Sequence, residues 1–141
     1  MSKNINACLS HNTDNWRTPS AIYNSFMKYG FVDLFEYCSS YDQYDKDYHN
    51  QRLFCNPPFS DLKNVIPYLI KQCDNGCDIW LLMPVRTDTK YFSLLVNCCR
   101  CHIFFFTERL HFNDSNSAPF PSMLVHIWNK NDLRSSFNLV V

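Results

Sequence analysis

Ile79-Trp80-Leu81-Leu82-Met83, closed by Pro84, decides the fold. Five large apolar side chains in a row cannot alternate between a wet and a dry face, so both faces need cover. That is the pattern of a central strand in a parallel sheet. Pro84 removes a ladder donor and ends it. Just upstream, Asp74-Asn75-Gly76 is a turn. Before the turn, Leu62, Val65, Ile66, Leu69 and Ile70 recur at helical spacing, so Leu62 to Cys73 is a helix capped by Asp61. Pro67 in its interior predicts a kink or a later start. Arg52-Leu53-Phe54-Cys55 is a short buried strand that stops at Asn56-Pro57-Pro58-Phe59. Further upstream, Ser39 to Asn50, rich in Asp and Tyr, has no period and reads as a loop, and Phe31 to Phe35 is a strand. A first helix starts with Thr18 as N-cap and Pro19 at the first helical position, runs through Ile22, Phe26 and Tyr29, and stops at Gly30.

Downstream of Pro84, Asp88 to Cys98 reads as a helix with Tyr91, Leu94, Leu95 and Cys98 on one face. His102 to Phe106 is a buried strand, Asn113 to Ser117 a polar turn, and Met123 to Trp128 a last strand antiparallel to the one before it. Strands alternating with helices give an α/β fold. The expected form is a compact Rossmann-like sheet, mostly parallel, with a C-terminal antiparallel hairpin adding one edge. No repeat or linker divides the chain, so residues 1–141 are expected to form a single domain, with 1–13 a flexible arm and 129–141 a tail without a clear pattern. Asp33, Asn56 and Pro84 to Asp88 all fall at or after strand ends, where ligands of such sheets sit. One shared crevice is the expectation.

Composition excludes several classes. With 141 residues the chain suits one domain. Its two glycines, Gly30 and Gly76, are too few and too far apart for a Gly-x-Gly-x-x-Gly turn or a P-loop. Thirteen basic and thirteen acidic residues leave no net charge, which argues against holding nucleic acid by bulk electrostatics. Residues 1–10 carry no apolar signal sequence, and no apolar run approaches the roughly 20 residues that span a bilayer. Eight cysteines fall below the roughly 8–10% of a disulfide scaffold, so reduced, mostly buried thiols in an intracellular compartment (cytoplasm or nucleus) are expected. A zinc reading takes Cys73, Cys77, Cys98 and Cys101, with His102 as a fifth ligand, although Cys98 to Cys101 spans a helix end and a strand rather than a tight turn. His11, His49, His111 and His126 show no ligand spacing.

Asn56-Pro57-Pro58-Phe59 carries the chemistry. A carboxamide oxygen accepts a hydrogen bond, and a proline with fixed φ can aim its carbonyl as a second acceptor. Neither proline adds a competing N–H. An aromatic ring three positions on can stack on a planar base. Two acceptors on one exocyclic amino group would hold its hydrogens and turn its lone pair toward an electrophilic methyl. The plainer reading is a strand-ending turn with a core Phe.

With this motif the chain resembles the small phage-type DNA N6-adenine methyltransferases, over roughly residues 14 to 128. The resemblance is carried by Asp14-Asn15-Trp16-Arg17-Thr18-Pro19, by Gly30-Phe31-Val32-Asp33, and by Leu53 to Phe59. It continues in Leu81 to Thr89, in Arg109-Leu110-His111-Phe112, and in Ala118-Pro119-Phe120-Pro121-Ser122. It implies methyl transfer from S-adenosylmethionine to adenine N6 in DNA. Asn56, Pro57, Pro58 and Phe59 would form the catalytic block, with Phe59 stacking on an extruded base. Trp16, Thr18, Pro19, Asp33 and Asn56 would line the cofactor site. Arg86, Asp88 and Arg109 would face the DNA with Phe59. Leu34-Phe35-Glu36-Tyr37 stands where small residues are expected and predicts a crowded cofactor site, and Glu108 replaces the usual Gly before the Arg. Arg17, Arg52, Lys63, Arg86, Lys90 and Arg109 are the expected basic contacts around the site. Double-stranded DNA would bind weakly to the chain alone, and an oligomer or a partner chain would supply more surface. A non-catalytic nucleic-acid-binding module, or the same chemistry on RNA or a protein glutamine, stays open at this level.

Overall fold

The computed structural model describes residues 16–35, 42–114, 116–129 and 131. The arm 1–13, His11, Glu36, Tyr37 and most of the C-terminal tail lie outside them. In chain order the elements are α1 (Ser20–Lys28), β1 (Val32–Asp33), β2 (Arg52–Cys55), α2 (Leu62–Asp74), β3 (Asp78–Pro84), α3 (Lys90–Cys98), β4 (Arg100–Phe105) and β5 (Ser122–Trp128). Short 3-10 turns occupy Asp42–Asp45, Phe59–Asp61 and Phe112–Asp114.

The strands form one mixed sheet in the order β1-β2-β3-β5-β4. β1, β2 and β3 are parallel, while β5 runs antiparallel to both β3 and β4. The fold is therefore α/β, as the alternation predicted. The last strand is antiparallel to its predecessor, as expected, but it is inserted between β3 and β4. The edge is β4.

Side-chain alternation divides the interior in two. Leu53, Cys55, Ile79, Leu81, Met83, Met123, Val125 and Ile127 face α2 and α3, where they meet Leu62, Val65, Ile66, Leu69, Phe92 and Leu95. Phe54 and Leu82 face the other way, with Phe112 and Ala118, and Ile22, Phe26 and Met27 of α1 pack over them. β3 is covered on both faces, which is why its sequence has no polar alternation.

Several boundaries differ from the sequence expectation, each for a physical reason. α1 begins at Ser20, with Pro19 in extended conformation (φ −52°, ψ 136°) as its cap residue. Thr18 is engaged elsewhere, so it does not cap. The strand at Phe31–Phe35 shrinks to Val32–Asp33 because Leu34 and Phe35 turn into the core. Asp61 precedes α2 but makes no side-chain cap bond; its carboxylate accepts from Asn64 Nδ2 at 2.6 Å and from the Tyr44 hydroxyl. Pro67 neither delays α2 nor splits it, since it lies on the exposed side of a continuous helix. α3 starts at Lys90 rather than Asp88 because the Thr89 hydroxyl accepts from Phe92 N at 3.4 Å. Its buried residues are Phe92 and Leu95, whereas Leu94 is 42% exposed and Cys98 lies at the surface. β4 is not a buried strand: Phe104 and Phe105 are 43% and 55% exposed.

Candidate active site

The parallel strands deliver their C-terminal ends to one side of the sheet: Asp33 at the end of β1, Asn56 after β2, Val85 after β3. β4 points the same way as β3, because both oppose β5. The loops after β1, β2, β3 and β4 thus emerge together. Val85 N donates to Pro121 O at 2.9 Å and ties the loop after β3 to the β4–β5 connection. Arg52, at the start of β2, lies at the opposite end with Asp78, its register partner. This corrects its place among the basic contacts.

Asn56 is the centre of the arrangement. Its Nδ2 donates to the Trp16 carbonyl at 2.5 Å and to Thr18 Oγ1 at 3.0 Å. Its Oδ1 is buried and accepts from no group among the described residues. A buried acceptor without a donor costs about 1–3 kcal/mol, and few occur in folded proteins. The carboxamide is oriented by its nitrogen and presents its oxygen as an unused acceptor.

The rest of the block follows from the two prolines. Pro57 is buried and Pro58 half-buried. Pro58 O accepts from Asp61 N at 3.0 Å, which opens the 3-10 turn that leads into α2. Phe59, half-buried, stands edge-on to Phe120 at 5.5 Å and to Phe112 at 6.0 Å between ring centroids. Trp16 touches the same two rings at 5.2 and 5.6 Å. The Trp16–Pro19 segment and the Asn56–Phe59 block therefore meet directly. Phe112 and Phe120 join them across the β4–β5 connection; sequence reading quoted both without giving them a role.

Asp33 sits at the tip of β1, where its Oδ1 accepts from Phe35 N at 3.3 Å. Of the four residues expected to crowd the cofactor site, Leu34 and Phe35 are instead buried in the core with residues of α2, while Glu36 and Tyr37 lie outside the described residues. An acidic tip with its bulky neighbours turned inward suits a cofactor carrying hydroxyl and ammonium groups. Arg86, Asp88, Glu108 and Arg109 are exposed on the surrounding loops. Among the described residues no ion pair joins Arg86 to Asp88 or Arg109 to Glu108. They share the end of the sheet with Asn56, whose side-chain hydrogen bonds go to Trp16 and Thr18 instead.

The cysteines arrange differently from the zinc reading. Cys73, Cys99 and Cys101 neighbour one another in the core, while Cys98 is exposed. Cys73 is held protonated by its hydrogen bond with Cys99 and by burial. Burial raises Cys55, and pushes Cys101 up to about 12. Among the described residues no group of three or more His, Cys, Asp or Glu side chains is placed to hold a metal. His126 is not idle, since it pairs with Asp78 and stacks on Trp80 at 4.4 Å. No helix among the described residues is long and apolar enough to cross a membrane.

A comparison with curated proteins finds no match. A family model described as DNA N-6-adenine-methyltransferase (Dam) matches residues 6–136 and so takes in every block of the site above. With that span matched, the chain belongs to the family of DNA N6-adenine methyltransferases.

Proposed function

We propose that this chain transfers a methyl group from S-adenosylmethionine to the N6 amino group of adenine in DNA, at the end of the sheet around Asn56. The observation that carries this reading is the buried Oδ1 of Asn56, fixed in place and without a hydrogen-bond donor. An adenine amino group extruded from the helix would supply that donor. The bound cofactor would supply the electrophilic methyl group.

The chain's own residues then do the remaining work. Asn56 Oδ1 and the Pro57 carbonyl accept the two amino hydrogens, turn the nitrogen lone pair outward, and stabilise the positive charge that develops as nitrogen is alkylated. The extra proton leaves to water, so no general base is required. Phe59 offers its ring to the base. Trp16, Thr18, Pro19 and Asp33 line the cofactor side. The rate enhancement comes from positioning and fixed dipoles. Pro58 fixes the exit of the chain into α2. The sheet, with helices over both faces, is read as a Rossmann-like single domain acting inside a cell. Arg86, Asp88 and Arg109 would meet the DNA, which binds weakly unless a second copy or a partner chain extends the surface.

Calorimetric titration with S-adenosylmethionine and tritiated methyl transfer to DNA test this together. Binding and labelled N6-methyladenine are expected. Asn56→Ala should abolish transfer while cofactor binding survives. Absence of binding at millimolar cofactor, or label appearing in RNA or protein glutamine instead of DNA, would overturn the reading.

A further inference from the structure

Asn113 and Asp114, between β4 and β5, are consecutive non-glycine residues in left-handed conformation, with φ 59° and 50°. L side chains rarely adopt it, though Asn and Asp tolerate it best. What the conformation achieves is visible in the bonds it makes. Arg17 N donates to Asn113 Oδ1 at 3.1 Å, and Asn113 N donates to Arg17 O at 3.0 Å. Asp114 Oδ1 accepts from Ser20 N and Ser20 Oγ, both at 3.1 Å, at the first turn of α1. Backbone donors there have no partner within the helix.

The consequence reaches Asn56 through a single peptide plane. The Trp16 carbonyl and the Arg17 N–H belong to the same rigid unit and point in opposite directions. One side of that plane accepts from Asn56 Nδ2, and the other donates to Asn113 Oδ1. The Thr18 hydroxyl cannot choose between the two ends of the Asn56 carboxamide, because a hydroxyl both donates and accepts. The Trp16 carbonyl can, because it only accepts. A carboxamide turned by half a rotation would offer N–H donors to an amine that is itself a donor.

We infer that Asn113 is a positioning residue: through the Trp16–Arg17 peptide it keeps the oxygen of Asn56, rather than its nitrogen, directed at the target amine. This rests on the proposed methyl transfer at Asn56, and its test contains a readout that does not need turnover. Asn113→Gly keeps the left-handed backbone and the bond to Arg17 O but deletes Oδ1. Asn113→Asp keeps Oδ1. In nitrogen-15 spectra, the Asn56 side-chain amide should exchange slowly with water in the parent, rapidly in Asn113→Gly, and slowly again in Asn113→Asp. Turnover in Asn113→Gly should fall between about tenfold and about a hundredfold, with the Kd for S-adenosylmethionine within about twofold. Asn56→Asp carries two equivalent oxygens and needs no orienting, so adding Asn113→Gly to it should cost nothing further. An unchanged Asn56 amide in Asn113→Gly, or the same fold-loss in both backgrounds, overturns the assignment. If the parent methylates no DNA yet Asn113→Gly alters the Asn56 amide, the positioning role stands and the proposed activity falls.

Discussion

Among the described residues two buried side-chain oxygens have no donor, Asn56 Oδ1 and Ser122 Oγ; they lie at the same end of the sheet and have opposite meanings. Asn56 is held in its orientation by two outgoing bonds, so its unsatisfied oxygen is a fixed feature. Ser122 has no such support, and its hydroxyl is a net cost in a fully buried place. Ser122→Ala is therefore expected to leave the melting temperature unchanged or raise it; a fall of several degrees would mean the hydroxyl is bonded in solution. The buried thiols give a second expectation. Cys101 ionises near 9.0 when unfolded and is pushed up to about 12 by burial; burial also raises Cys55, and the hydrogen bond with Cys99, followed by burial, raises Cys73. Stability tied to these groups is fully present below pH about 9, because both states keep the proton. It is lost as pH rises from 9 toward 12, where only the unfolded chain releases it. Thermal melts across that range should fall steadily. At pH 8, iodoacetamide should modify exposed Cys98 well before Cys55, Cys73 or Cys101, as peptide mapping would show.

At the level of elements, Gln72 on α2 shows how the helix holds the loop that precedes β2. Fully buried, it accepts from Tyr48 N at 2.7 Å through Oε1 and donates to Asp47 Oδ1 at 3.0 Å through Nε2. That donation, ahead of Lys71, keeps the Asp47 carboxyl below its ordinary range. Gln72→Leu preserves volume but strands Tyr48 N, and is expected to cost about 2 kcal/mol in urea denaturation. α2 and β3 were legible in sequence because apolar period and length agreed, and Asn56-Pro57-Pro58-Phe59 was legible because its residue types are chemically specific. β4 was misread for a definite reason. An apolar run such as His102 to Phe106 shows that a strand forms but not whether both faces or both edges are covered. The cap of α3 was missed because Asp88 and Thr89 are both good cap residues, and only the bond from Phe92 N separates them. Asn113 escaped notice because a polar turn was expected there anyway. The sign available was an Asn-Asp pair, two residue types that tolerate left-handed backbone, next to a buried Phe112.

For the whole molecule, the proposed function draws on one end of the sheet, where the loops after β1, β2, β3 and β4 emerge together. Arg17, Lys63, Arg86, Lys90 and Arg109 lie toward that end, while Arg52 begins β2 at the other. If the proposed function holds, a chain with no net charge would gain DNA affinity through these few residues, and binding should weaken as salt rises. Arg86→Ala and Arg109→Ala should each lower the slope of log K against log salt by about 0.9 if each meets one phosphate, and Arg52→Ala should leave it unchanged. The strand order has a further consequence, for the making of the protein. β3 pairs with β5, which is the last strand among the described residues but lies inside the sheet, between β3 and β4. Until Ser122 to Trp128 leave the ribosome, β3 and β4 each expose an unpaired edge, and that of β3 is almost wholly apolar. The sheet therefore closes by long-range pairing only once β5 is available, a slow and aggregation-exposed step. A released fragment that ends before residue 122 should be sticky and sensitive to protease, and one that includes Ser122 to Trp128 should gain resistance in a single step.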